Sequence, residues 1–143
     1  MGEPARKVRA GSATMNDNIF SVLKKILKAN SRGLELKSTT INSQAKIQKP
    51  ALHLYGKKKI SFANRRAKQT YVVGIVKQKS YVGFYFMPIY SHPNKFLREI
   101  SELKKLQRGK ACYHIRGLSD NLKDEINKIV KEGIKIYRQE KWI

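Results

Sequence analysis

The stretch Tyr81–Tyr90, YVGFYFMPIY, is the most apolar run in the chain and decides the fold. β-branched and aromatic side chains favour a strand, and Pro88 should end it because proline has no N–H for the ladder. Alternation divides the strand between two faces, one with Val82, Phe84 and Phe86, the other with Tyr81, Gly83, Tyr85 and Met87. A strand that is apolar on both faces is predicted to lie centrally in its sheet.

This run also has a second interpretation. RNA-recognition motifs carry a glycine and spaced aromatic side chains that stack on bases. Apolar strands are usually buried, however, and we therefore interpret Tyr81–Met87 as a core strand. Only Tyr85 and Tyr90 keep a functional role, as residues of a pocket between sheet and helices that would also contain His114 and Cys112.

Further strands are predicted on both sides of this run. Three precede it, at Ala51–Tyr55, Lys59–Asn64 and Thr70–Lys77, and Ala111–Arg116 follows it. Gly56-Lys57-Lys58 and Gln78-Lys79-Ser80 are predicted to be tight turns, so the strands form an antiparallel meander. Leu34–Lys49 is expected to be an edge strand or an ordered loop.

Helical periodicity predicts three helices. The first is Asn16–Asn30, with Asn16 or Asp17 as its cap. The second begins at Pro93, and the third follows a Ser119 cap and buries Leu122, Ile126, Ile129, Val130, Gly133 and Tyr137. The second helix is expected to bury Phe96, Leu97, Ile100, Leu103 and Leu106. The terminal Trp142 is expected to dock on the fold.

The predicted fold class is therefore α+β: an antiparallel β-meander with an N-terminal helix and two C-terminal helices packed on it. Residues 1–15 are interpreted as a disordered basic tail and residues 16–143 as one domain. Met1 and Met15 are both candidate start sites.

The strongest compositional signal is charge. The 143 residues carry 31 Lys and Arg against 10 Asp and Glu, a formal net charge of +21. No acidic residue occurs from Leu36 to Arg98, a span that holds thirteen Lys and Arg. Such a field indicates an anionic partner, with nucleic acid the first candidate, or else a solvated basic surface.

The candidate anion-binding residues lie at the predicted turns. They are Lys57, Lys58, Lys59, Arg65, Arg66, Lys68, Lys77 and Lys79. Successive turns of a meander alternate between the two ends of the sheet. We therefore expect Lys57–Lys59 to share one end with Lys77 and Lys79, and Arg65, Arg66 and Lys68 to lie at the other.

The sequence favours a protein without catalytic activity. Cys112 and His114 are two residues apart on a predicted strand, a spacing that suits a thiolate–imidazole pair or two metal ligands, but also a strand of the core. No P-loop, dinucleotide fingerprint or nucleophile elbow is present. We predict no cofactor and no metal site. One cysteine excludes an intrachain disulfide and fits the cytoplasm, and no apolar run approaches bilayer length.

Three motifs, YVGFYFMPIY, LQRGKACYHI at Leu106–Ile115 and GIKIYRQEKWI at Gly133–Ile143, resemble the bacterial YdhG-like family, a domain-of-unknown-function group. The resemblance covers roughly Asn16 to Ile143. It implies an α+β fold distantly similar to that of frataxin-like proteins, and an iron-chaperone role as the alternative function. It supplies no catalytic residues. The predicted sheet departs from the iron-chaperone idea because it lacks the clustered carboxylates that iron delivery needs.

Overall fold

The computed structural model describes residues 13–40, 49–61 and 63–143. Five strands in these ranges form one antiparallel sheet in chain order, β1 Leu34–Thr40, β2 Lys49–Ile60, β3 Lys68–Lys77, β4 Val82–Phe86 and β5 Cys112–Ile115. Three α-helices accompany them, α1 Ala13–Ala29, α2 Met87–Ser91 and α3 Asp120–Gln139, with two short 3-10 helices at Pro93–Lys95 and Leu103–Leu106. The predicted α+β meander, with one N-terminal and two C-terminal helices, is confirmed.

One face of the sheet packs on α1 and α3 and forms the core. Side chains along each strand point alternately to the two faces, and register partners in neighbouring strands point to the same face. Leu54, Ile75 and Phe84 are completely buried there. Helix α3 approaches β4 closely at Gly133, where a Cβ would lie 2.6 Å from Phe86 and 2.7 Å from Pro88. The glycine therefore brings helix and sheet together.

The predicted turn at Gly56-Lys57-Lys58 is wrong. Strand β2 continues through these residues to Ile60, and the register shift between Tyr55 and Lys59 marks a bulge instead of a reversal. Gly56 serves close packing, because a Cβ at this position would collide with the side chain of Ile143. Strand β2 therefore contains the whole predicted strand Ala51–Tyr55 but only Lys59 and Ile60 of the predicted strand Lys59–Asn64, and Ala63 and Asn64 lie in a turn instead.

The long helix predicted from Pro93 is also wrong. The chain there forms the two 3-10 helices and turns, and Leu97, expected in the core, is 70% exposed. The carboxylate of Glu125 on α3 accepts hydrogen bonds from the backbone N–H groups of Glu102 (3.2 Å) and Leu103 (2.8 Å). These groups bond to α3 instead of continuing a helical ladder. Phe96 and Leu103 are still fully buried.

Helix α1 begins three residues earlier than predicted, so neither Asn16 nor Asp17 is its cap. Asn16 is instead buried, and its Nδ2 donates to the carbonyl oxygen of Lys79 at 3.0 Å. Asp17 pairs with Lys77. Residues 13–15 of the predicted tail belong to the helix, and residues 1–12 lie outside the described ranges.

The C-terminal predictions are confirmed. The Ser119 hydroxyl caps α3 by accepting from the Leu122 backbone N–H at 3.1 Å. The Trp142 ring docks with its centroid 5.0 Å from that of Tyr137 and 5.3 Å from that of His92. The end of the chain is thus fixed against the helical layer.

Candidate binding face of the sheet

The sheet face opposite the core carries aromatic and polar side chains that are only partly buried. A single row of register partners crosses all five strands: Lys37, His53, Gly74, Tyr85 and Cys112. Tyr55, Tyr71, Tyr81 and His114 share this face. We call these nine residues the aromatic face. Strand β4 is thus a core strand on one side and part of the aromatic face on the other.

Two glycines shape the centre of the aromatic face. A Cβ at Gly74 would overlap the Tyr71 hydroxyl and Nδ1 of His53, and a Cβ at Gly83 would lie 2.8 Å from the Tyr85 hydroxyl oxygen. The side chains of Tyr71 and Tyr85 therefore lie over the backbone of Gly74 and Gly83, which have no side chains of their own. Glycine inside a strand often marks such a close approach.

Beside these tyrosines lies a depression of about 450 Å³. His53 and Tyr71 stand on one side, with Nδ1 of His53 2.9 Å from the Tyr71 hydroxyl. Tyr85 and Cys112 stand on the other side. Lys49, Val76, Gln78, Phe86, Met87 and Ala111 complete the lining. The volume lies in the range of small-molecule sites.

Four titratable groups of the depression, those of His53, Tyr71, Tyr85 and Cys112, are held in their neutral forms. Burial raises the pKa of the Tyr71 hydroxyl, and the nearby Tyr55, Tyr85 and Cys112 raise it further. Burial also raises the pKa of Tyr85 and of the Cys112 thiol, and it lowers the pKa of His53. These side chains therefore offer neutral hydrogen-bonding groups and aromatic surface.

Cations lie beside the aromatic rings. Nζ of Lys37 is 4.5 Å from the Tyr55 ring centroid, and the Arg116 guanidinium is 5.5 Å from that of Tyr81. Nζ of Lys49 donates to Oε1 of Gln78 at 2.5 Å. One carboxylate, Glu35, is also on this side of the sheet and accepts from Nε2 of Gln69 at 2.6 Å.

The structure brings together only part of the predicted pocket. Tyr85 and Cys112 line the depression. His114 instead stacks on Tyr81, with ring centroids 3.8 Å apart, and Tyr90 lines a different cavity. The thiol of Cys112 has Tyr85 as its hydrogen-bonding neighbour. Burial, with Arg108 and Arg116, lowers the pKa of His114.

Sequence reasoning missed His53, Tyr71, Lys49 and Gln78. A signal was present: Gly74 interrupts a β-branched strand three residues after Tyr71, and His53 alternates with apolar residues in β2. The partnership between them depends on strand register, which sequence spacing does not show.

The predicted anion-binding residues fall into two groups, divided differently from the prediction. Lys57, Lys58, Lys59, Arg65, Arg66 and Lys68 are all exposed at one end of the β2–β3 hairpin, and we call them the basic arm. Pairing of β1 with β2 stops at Gly56, and pairing of β4 with β3 stops at Val73. In the described part of the chain, the arm therefore projects beyond the neighbouring strands.

Lys77 and Lys79 lie at the opposite end, so the prediction that they share an end with Lys57–Lys59 is wrong. The reason is the missing turn at Gly56, which removes one reversal of the meander. Lys77 is also paired with Asp17, whereas Lys79 is exposed.

In residues 13–40, 49–61 and 63–143, no group of three or more His, Cys, Asp and Glu side chains is arranged to hold a metal ion. None of the helices described for these residues has the length and hydropathy needed to cross a bilayer.

No family model matches the sequence, and comparisons with curated proteins and with solved structures likewise found no match. The resemblance to the YdhG-like family therefore stays a prediction.

Proposed function

We propose that this chain binds single-stranded nucleic acid, with bases on the aromatic face and phosphates along the basic arm. The observation that carries the proposal is the cross-strand row that places Gly74, which has no side chain, between His53 and Tyr85. Sheets that recognise single-stranded RNA present aromatic rings on which unstacked bases stack. A flat ligand would likewise meet aromatic rings on this face of the sheet.

The depression suits one base. Neutral His53 and Tyr71 supply hydrogen-bonding groups, and the Tyr85 ring supplies stacking surface. Stacking of a base on an aromatic side chain stabilises such complexes by about 1–3 kcal/mol. Because stacking needs no particular base, the interaction would tolerate sequence changes.

The basic arm supplies the electrostatic part of the proposal. Six exposed cations without an acidic residue among them would attract a phosphate backbone and release its counterions. Lys37 and Arg116 beside the face would continue the positive surface towards the bases.

The proposed protein is a cytoplasmic binding module without catalysis. Its one thiol, Cys112, has a raised pKa and is therefore mainly protonated at neutral pH, which makes it a weak nucleophile. The iron-chaperone alternative rests on the family resemblance alone and stays a prediction.

The test is fluorescence anisotropy with labelled U12 and A12 oligonucleotides and a 12-base-pair duplex, titrated at several salt concentrations. We expect both single strands to bind more tightly than the duplex, and the logarithm of the binding constant to fall linearly with that of the salt concentration. Flat curves at low salt, or tighter binding of the duplex, would contradict the proposal.

Two sets of variants locate the site. Replacing Lys57, Lys58 and Lys59 together by Gln should reduce the salt slope by about 2, since each phosphate contact on a single strand contributes about 0.7. The control replaces Lys25, Lys123 and Lys135, which are exposed on α1 and α3, and changes the net charge equally. An equal loss in both triple variants would mean that only net charge matters.

A second variant separates stacking from charge. Tyr85→Leu keeps an apolar side chain but removes the ring, so binding should weaken while the salt slope stays the same. Unchanged affinity would exclude the aromatic face and leave the basic arm as the only contact.

A further inference from the structure

A second cavity, of about 390 Å³, lies between the segment that follows β4 and strand β5. Its lining is mainly apolar and consists of Ile89, Tyr90, Pro93, Phe96, Leu97, Ile100, Lys104, Gln107, Lys110 and Tyr113. It shares no residue with the depression on the aromatic face. Any ligand that it holds would therefore be separate from the proposed nucleic acid.

This cavity contains apolar surface that the fold leaves in water. Leu97 is 70% exposed and Tyr90 is 55% exposed, and these are the two most exposed large hydrophobic residues in the described part of the chain. Both line the same cavity, beside the fully buried Phe96. Clustered exposed apolar side chains are typical of binding sites, whereas isolated ones are ordinary.

The charged groups of the cavity favour an anion. Lys104 and Lys110 contribute the only charged side chains of its lining, and within the described residues neither forms an ion pair with a carboxylate. Nζ of Lys110 is 5.6 Å from the Tyr90 ring centroid. An anion that enters the cavity would thus meet positive charge and no carboxylate.

Tyr113 adds an unused hydrogen-bond donor. Its side chain is fully buried, and its hydroxyl has no hydrogen-bond partner among the described residues. Burial, together with the nearby Cys112, raises the pKa of this hydroxyl to about 12, so it keeps its proton at neutral pH. A buried hydroxyl without a partner is unfavourable, and a ligand oxygen would satisfy it.

We propose that this cavity binds a small organic carboxylate with an apolar body. Lys104, Lys110 and the Tyr113 hydroxyl hold the carboxylate, and the body packs on Leu97, Phe96 and Ile100. The proposal does not depend on nucleic-acid binding. Charge complementarity selects the carboxylate, and the exposed leucine and tyrosine account for the apolar part.

Decanoate and decanol have the same apolar chain, and only decanoate has a carboxylate. Comparing them separates the cationic part of the site from its apolar part. Each is titrated into the 15N-labelled full chain, and backbone amide shifts are followed by NMR. We expect decanoate to shift the amides of residues 89–113 and to bind about tenfold more tightly than decanol. Equal affinities, or shifts spread over the whole chain, would overturn the proposal.

Substitutions then test the named groups. Lys104→Gln with Lys110→Gln should weaken decanoate about tenfold and leave decanol unchanged, whereas Lys95→Gln with Lys135→Gln, at exposed lysines outside the lining, should change neither. Tyr113→Phe should weaken decanoate about fivefold while the melting temperature stays the same or rises, because the unpartnered hydroxyl is removed. Unchanged decanoate affinity in both lining variants would refute the site.

Leu97→Asp keeps the proposal testable if a core variant fails to fold. Because Leu97 is mostly exposed, the substitution should leave the fold intact. It should abolish the decanoate shifts, since it replaces apolar surface by a negative charge. Retained binding would place decanoate elsewhere and overturn the proposal.

Discussion

The hydroxyl of Tyr71 lies 2.9 Å from Nδ1 of His53, and the two side chains meet above Gly74. The two residues lie on neighbouring strands but are not register partners. His53 pairs with Gly74, and Tyr71 precedes Gly74 by three residues. The contact fixes one wall of the depression. It depends on the glycine, since any Cβ at this position would occupy the space of the two polar atoms.

Gly74→Ala should therefore destabilise the protein by about 1–3 kcal/mol, the usual cost of overpacking. It should also weaken oligonucleotide binding, because Tyr71 and His53 must move. Urea unfolding and anisotropy measure the two effects. Gly117→Ala is the matched control: nothing lies within 4 Å of its added Cβ, and we expect a change within about 0.5 kcal/mol. Equal stability of the two variants would contradict the packing described for Gly74.

His53 should make stability depend on pH. Burial lowers the pKa of the folded imidazole below its ordinary value of 6.5, so the unfolded chain binds the proton more readily. The contribution to stability is complete above pH 6.5 and is lost as the pH falls through the folded pKa. The pKa of His114 is also lowered, so this residue contributes in the same direction.

Urea unfolding between pH 5 and 7.5 checks this behaviour. His53→Gln should reduce the loss of unfolding free energy on acidification, and the His53→Gln, His114→Gln double variant should reduce it more. A loss as steep as that of the wild type in both variants would assign the effect to other groups.

The elements predicted correctly are those whose signal is local. Strand β4 follows from the alternation around Phe84, and α3 from its helical stripe and the Ser119 cap. The prediction at Gly56 was wrong because a glycine next to lysines favours a turn locally. The structure requires a glycine there for another reason, the close approach of Ile143, which lies 87 residues later in the chain. Such a contact leaves no trace in nearby sequence.

The candidate site was only half predictable for the same reason. Tyr85 and Cys112 belong to recognisable strands, so their placement could be inferred. Their neighbours His53 and Tyr71 join them only through register, and a shift of one residue would turn either side chain to the opposite face. The helix predicted after Pro93 was wrong for a different reason. The periodicity of the segment is helical, but two of the backbone N–H groups that a helix needs donate instead to the carboxylate of Glu125.

Cys112 should react slowly with alkylating reagents. Burial raises the pKa of its thiol, and the Tyr85 hydroxyl partly opposes this by hydrogen bonding to the thiolate. The pH at which the iodoacetamide rate is half-maximal should therefore lie above about 8.5, the value for a free cysteine. Tyr85→Phe should raise it further, because the stabilising donor is lost. Mass spectrometry of the alkylated protein gives the rates, and a midpoint below 8.5 would contradict the burial of the thiol.

A bound oligonucleotide should protect Cys112, which lines the proposed base site. Saturating U12 is expected to lower the alkylation rate at constant pH and salt. The control is an equal concentration of duplex, which carries phosphates but no free bases. Equal protection by both would indicate that the phosphate backbone alone covers the face.

Asn16 joins α1 to the turn between β3 and β4. Its Nδ2 donates to the carbonyl oxygen of Lys79 at 3.0 Å, and its side chain is completely buried. Asn16→Ala removes that donor from a buried environment and should lower the unfolding free energy by about 1–2 kcal/mol. Asn18→Ala, at an exposed position of the same helix, gains the same helix propensity without losing a buried contact. Urea denaturation of the two variants isolates the hydrogen bond, because the propensity gain is common to both. If Asn16→Ala proved as stable as Asn18→Ala, the side-chain bond to Lys79 would contribute nothing, and the other contacts of α1, which include the packing of Ile19 and Leu23 and the Asp17–Lys77 pair, would hold the helix on the sheet.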